Sequence, residues 1–138
     1  MQFLRRIVSH LETVLKRVAA TRMLMDLGRV DAQFYYHYYK IAPSAAEADD
    51  YRCMLPHKWT RALFLANKCK QYAPAALLDA SGLLPGIRSF WWDGYSFLIA
   101  EDRATLEAMA EIATTDSEEQ FSEQVKDLFQ LLRTRLLM

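Results

Sequence analysis

The side chains in this sequence that could bind a metal ion are Cys53, His57 and Cys69. Zinc prefers thiolate and imidazole ligands, and a structural zinc site uses four of them in a tetrahedral arrangement. Cys53 and His57 are four residues apart, a spacing that places two side chains on one face of a continuous helix. Pro56 interrupts such a helix because its ring disfavours helical geometry in the preceding residue. With no fourth ligand evident, we expect neither a metal site nor a bound cofactor.

Acid–base catalysis would depend on the histidines of the chain, which are His10, His37 and His57. Candidate carboxylate partners are Asp49, Asp50 and the acidic run over 101–123. A general base needs partners within hydrogen-bond distance and a pKa shifted toward the working pH. Nothing in the spacing brings these groups together, and the sequence contains no phosphate-binding glycine loop and no HExxH or GxSxG motif. We therefore expect no catalytic residues, and keep a small enzyme as an alternative.

The composition is that of one globular domain over residues 1–138, with 52% hydrophobic and 25% charged residues. Two cysteines are too few for a disulfide framework and indicate an intracellular, reducing compartment. Seventeen basic residues balance seventeen acidic ones, yet the first 72 residues carry a net charge of +6 and the remainder −6. This asymmetry predicts either two halves that pack together or two faces of opposite sign that bind different partners.

The N-terminal region predicts one long amphipathic helix, over 2–27. Its apolar positions recur at three- and four-residue steps and are Leu4, Ile7, Val8, Leu11, Val14, Leu15 and Val18. Basic residues occupy the opposite side, at Arg5, Arg6, Lys16 and Arg17. The pattern fits a helix packed on a core, a helix lying on a lipid surface, or a mitochondrial targeting segment. Gly28 predicts the end of the helix because glycine adopts positive φ without strain.

The central region, over 31–82, predicts further helices. Ser44 and Glu47 have the spacing of a capping box, in which the serine hydroxyl accepts a hydrogen bond from the glutamate amide. The helix that they begin should end near Leu55. Another helix should follow and stop before Pro74, which should open a separate short helix because proline interrupts the helical hydrogen-bond ladder.

The C-terminal region predicts one hairpin and then helices. Asp93-Gly94 lies between two runs rich in aromatic residues, which favours a β-hairpin over 87–99 with a type I′ turn. Asp102 offers an N-cap for the C-terminal helices, over 102–137. The predicted fold class is therefore mainly α, a small domain of about five to seven helices with one short hairpin.

The sequence contains two aromatic clusters, over 34–39 and 90–95. If residues 34–39 are helical, their aromatic side chains point around most of the helix, which is more than one core face absorbs. Tyrosine and tryptophan are enriched at interfaces because an apolar ring is joined to a polar tip. The candidate interface residues are Phe34, Tyr35, Tyr36, Tyr38, Tyr39, Trp91, Trp92 and Tyr95. Packing in the protein's own core and stacking on nucleic-acid bases are the alternatives. Because no dense basic patch or RNA-binding signature occurs, we expect no nucleic-acid partner.

These patterns together predict a non-catalytic helical interaction protein, an accessory or scaffold subunit of a multiprotein complex. Its partners would be other protein subunits, or a second copy of the chain. The presequence-like first helix suggests a mitochondrial location. The alternative is a peripheral membrane protein that meets lipid headgroups, or an acidic partner, through Arg5, Arg6, Lys16 and Arg17.

Overall fold

The computed structural model describes residues 2–29, 31, 33, 37, 43–115 and 120–138 of the chain. Those residues are mainly helical, as the sequence predicts, and contain no strand. The helices that can be given bounds are α1 (Gln2–Asp26), α2 (Ala45–Met54), α3 (Lys58–Ala80), α4 (Ile87–Gly94), α5 (Ala100–Thr114) and α6 (Phe121–Leu132), which continues as a π-helical turn over Arg133–Leu137.

Two helix boundaries agree with the local signals in the sequence. Gly28, just past the end of α1, has a φ of 71°, and the amide of Arg29 donates to the carbonyl of Leu24. This arrangement closes a helix because glycine has no Cβ to oppose positive φ. α2 begins at the predicted capping box, with the Glu47 amide donating to the Ser44 hydroxyl at 3.3 Å.

The three longest helices run in the same direction. Arg22 of α1 donates to the carbonyl of Thr114, so the C-terminal ends of α1 and α5 lie together. Met25 of α1 packs against the small cluster that contains Leu78, near the end of α3. An ion pair joins the starts of α3 and α5. Since parallel helices cannot be joined by tight turns, the segments that carry α2 and α4 return the chain between them.

The apolar stripe of α1 is buried in the core of the protein. Ile7, Leu11, Val14, Leu15 and Val18 each keep at most 6% of their surface exposed. This burial agrees with the core interpretation of the helix, because the stripe itself is not free to lie on lipid. Within the described ranges, no helix combines the length and the hydropathy needed to cross a bilayer.

α3 continues through Pro74, so the prediction of a separate helix at this residue is wrong. Proline removes one hydrogen bond from the ladder and crowds the carbonyl four residues earlier. Ala73, Pro74 and Ala75 are all buried, and Met25 of α1 packs against the cluster that contains Ala75. Packing against α1 therefore keeps the chain helical on both sides of the proline.

The predicted hairpin over 87–99 is also wrong, because residues 87–94 form α4. A type I′ turn needs positive φ, which Gly94 does not have. In a strand, Trp91 and Trp92 would point to opposite faces. In the helix both are buried, with 3% and 6% of their surface exposed, so the helix buries more aromatic surface.

Asp102 joins three helices instead of capping one. The structure corrects the predicted cap: α5 begins at Ala100, and Asp102 lies in its first turn with no exposed surface. Its carboxylate accepts from the hydroxyl of Tyr51 in α2 at 2.5 Å and from the guanidinium of Arg61 in α3 at 2.6 Å. Burial, followed by the hydrogen bond to Asp102, raises the pKa of Tyr51. The hydrogen bond between Arg61 and Asp102 raises the pKa of Arg61.

Replacing Asp102 by alanine should destabilise the protein by about 3–5 kcal/mol, because breaking a buried ion pair leaves Arg61 without its counter-charge. Asp49→Ala is the matched control. It breaks an Asp–Arg pair of similar length, 2.7 Å to Arg52, whose side chains are 75% and 66% exposed. That change should cost less than about 1 kcal/mol. Urea unfolding at pH 7 measures both variants, and equal losses would contradict a central role for Asp102.

Candidate functional site

The second aromatic cluster lies inside the protein. Trp91, Trp92 and Tyr95 keep 3%, 6% and 2% of their surface exposed. They pack in the protein's own core, and their predicted role as interface anchors stays a prediction. The first cluster, Phe34, Tyr35, Tyr36, Tyr38 and Tyr39, lies outside the described residues.

Trp91 is at the centre of a group of packed rings. Its indole stacks on Tyr95 with ring centroids 4.1 Å apart. It also meets Tyr72 at 4.9 Å and Trp92, edge to face, at 5.0 Å. Such pairs stabilise a core beyond the apolar area that they bury. The aromatic content of the sequence thus serves core packing at these positions.

The buried tyrosine hydroxyls in this group have polar partners. Tyr72 accepts from the indole N–H of Trp92 at 3.0 Å and from Nε of Arg88 at 2.6 Å. The ammonium of Lys68, itself 8% exposed, donates to the Tyr95 hydroxyl and pairs with Glu47 of α2. Burial, with the charge of Glu47, raises the pKa of Tyr95. The hydroxyls of Tyr72 and Tyr95 are therefore satisfied, and both tyrosines stay protonated at neutral pH.

The histidines do not converge on one catalytic site. His57 is exposed and precedes α3. His10 lies near Arg6 and Lys70, and burial followed by these two charges lowers its pKa. His37 is buried, and burial lowers its pKa to about 4. A general base works best when its pKa lies near the operating pH, so this value does not suit catalysis at neutral pH.

The cysteines are separated as well. Cys53 is exposed, whereas Cys69 is fully buried, and burial raises the pKa of its thiol to about 12. A thiol with such a pKa is a structural residue and a poor nucleophile. Among the residues that the structure describes, no three His, Cys, Asp or Glu side chains are grouped to hold a metal ion.

The basic residues predicted on the first helix form an exposed surface. Arg5, Arg6, Lys16 and Arg17 are all exposed. Neither Arg5, Arg6 nor Lys16 forms an ion pair with any residue in the described part of the chain. With Lys70 they make up what we call the basic face.

Lys70 is the member of the basic face that sequence reasoning missed. It lies on α3, and burial followed by the charges of Arg17 and Lys68 lowers its pKa. Like charges this close repel one another, so the cluster costs stability in the isolated protein. The parallel packing of α1 on α3 brings Lys70 to these residues, and no spacing in the sequence could have indicated it.

The outer side of α1 ends in apolar residues. Met23 and Leu27, seven and eleven residues after Lys16, are 65% and 71% exposed. These steps place them on the same side of the helix as Lys16. The outer side of α1 therefore combines cations with two exposed apolar side chains, the mixture found where protein surfaces meet.

Comparison of the chain with protein-family models, with curated proteins and with solved structures finds no match.

The low pKa of His37 makes stability depend on pH. In the unfolded chain the imidazole has its usual pKa of 6.5, against about 4 when folded. Below about pH 6.5 the unfolded state therefore binds a proton that the folded state does not, and stability falls until about pH 4. The full loss is about 3 kcal/mol.

His37→Gln should remove that part of the pH dependence. Urea unfolding at pH 7, 6, 5 and 4 measures the slope, and carboxylate contributions cancel when the variant is compared with the wild type. His57→Gln, at an exposed histidine, is the control and should retain the wild-type slope. An unchanged slope in His37→Gln would show that the buried imidazole is not the cause.

Proposed function

We propose that this protein is a non-catalytic helical interaction protein, an accessory subunit that binds an acidic surface of a partner protein through α1. The observation that carries the proposal is the basic face, where Arg5, Arg6 and Lys16 are exposed and form no ion pair within the described part of the chain, and where the charge of Arg17 lies near Lys70. An acidic partner would relieve this repulsion, and the gain in binding would be largest where the charges repel most.

The choice of a protein partner rests on what surrounds the cations. The apolar stripe of α1 is buried, so the stripe is not available to insert into a lipid surface. Met23 and Leu27 continue the outer side of the helix and would provide desolvated apolar contacts beside the charged rim. The zero net charge of the whole chain disfavours long-range attraction to a polyanion such as nucleic acid. The mitochondrial location stays a prediction.

Reversing charge on the basic face should release the protein from its complex. In a gentle native extract, we expect the wild type to elute well above its monomer mass. Arg6→Glu combined with Lys70→Glu should shift it to the monomer position, because two attractions become repulsions. The matched control is Lys58→Glu combined with Arg133→Glu, which changes two exposed cations outside the basic face and should leave the elution unchanged.

Four outcomes would count against the proposal. Elution of the wild type at its monomer mass would show that the protein is not bound to a partner in the extract. Equal release by the control would point to net charge instead of the basic face. Flotation of the purified protein with anionic vesicles, lost in Arg6→Glu, would assign the face to lipid. A dimer formed by the purified protein alone, and broken by the same variant, would make the partner a second copy of the chain.

A further inference from the structure

A groove lies between α1 and α3, next to the basic face. Its volume is about 260 Å³, and its lining is mainly apolar. The residues that α1 contributes are three or four positions apart, so they share one side of the helix. They are Arg17, Ala20, Thr21 and Leu24. α3 contributes Pro74.

Cations stand at one end of this groove. Lys70 lies near Arg17 and one turn before Pro74 on α3. His10, seven residues before Arg17, is on the same side of α1 and also lies near Lys70. Because α1 and α3 run in parallel, positive charge comes first along both helices and the apolar lining follows. The groove is therefore a continuation of the basic face.

The apolar part of the groove can take one large side chain. Leu24 is 36% exposed and Ala20 is exposed, so this part is open to solvent. An engineered apolar cavity of about 150 Å³ admits benzene, so about 260 Å³ accommodates a phenylalanine ring. The buried side chains of Gln33 and His37 also line the groove. His37 is neutral at pH 7 because burial lowers its pKa to about 4, so Arg17 supplies the charge of the lining.

Charge complementarity selects the occupant. Arg17 and Leu24 are seven residues apart, which is about 10 Å along the helix axis, or two helical turns. A partner helix that places carboxylates beside Arg17 and Lys70 therefore brings a side chain two turns away over the apolar lining. We infer that this groove binds an acidic helix of the partner protein, with carboxylates over the cations and an apolar side chain inserted beside Ala20 and Pro74. This inference rests on the proposed function and adds the apolar anchor to it.

Two synthetic peptides test the inference on the purified full chain. Both are alanine-rich helices that carry fluorescein and four glutamates in their first two turns. One has a phenylalanine seven residues after the last glutamate, and the other has alanine at that position. Fluorescence anisotropy at low salt should show the phenylalanine peptide binding about tenfold more tightly, because burial of the ring adds to an attraction that both peptides share.

Two tryptophan variants locate the ring. Ala20→Trp fills the groove and should remove the tenfold difference between the peptides. Ala19→Trp is the matched control, because Ala19 is exposed on the same helix and does not line the groove. This variant should keep the difference. Arg6→Glu combined with Lys70→Glu should weaken both peptides, since it acts on the charges that they share.

The outcomes separate this inference from the proposed function. Equal affinities of the two peptides for the wild type would overturn the inference and leave the acidic partner standing. A difference that survives Ala20→Trp, or that Ala19→Trp abolishes as well, would also overturn it, because the ring would lie outside the groove. Binding of neither peptide would contradict both proposals. The wild-type comparison decides the matter even if Ala20→Trp does not fold.

Discussion

The buried carboxylate of Asp102 is the constraint on which the arrangement of the helices depends. A charge without exposed surface must be paired and hydrogen-bonded, and its partners come from α2 and α3. Tyr51 also accepts from the amide of Ile99 at 3.1 Å, immediately before α5. The network therefore fixes the start of α5 against α2 and α3, and α2 is placed so that Glu47 reaches Lys68.

Around this network the protein buries large aromatic rings that carry polar groups. The hydroxyls of Tyr51, Tyr72 and Tyr95 each meet a charged side chain, so three rings can be buried without unsatisfied oxygens. The rings then pack on one another instead of on a partner. Within the described residues, the indole N–H of Trp91 is buried among these rings without a hydrogen-bond partner.

α1 contributes to the core with one side and carries exposed cations on the other. Its apolar stripe supplies core contacts to α3, and its outer side keeps the cations in water. The positive charge of the first half of the sequence therefore does not simply neutralise the negative second half. Part of it gathers where α1 meets α3, because parallel packing sets Lys70 beside Arg17. The resulting repulsion is a local cost that a partner could relieve.

The sequence alone determined the features that depend on neighbours along the chain. The periodicity of α1, its end at Gly28 and the cap at Ser44 could all be predicted, because a few adjacent residues set each of them. Tertiary structure decided the rest. Residues 87–94 have the local pattern of a hairpin, yet they form a helix in which both tryptophans are buried. Likewise, α3 passes Pro74 because α1 packs beside it, and Asp102 pairs with Arg61 because distant helices meet there. Such choices depend on contacts between residues far apart in sequence, which local patterns do not contain.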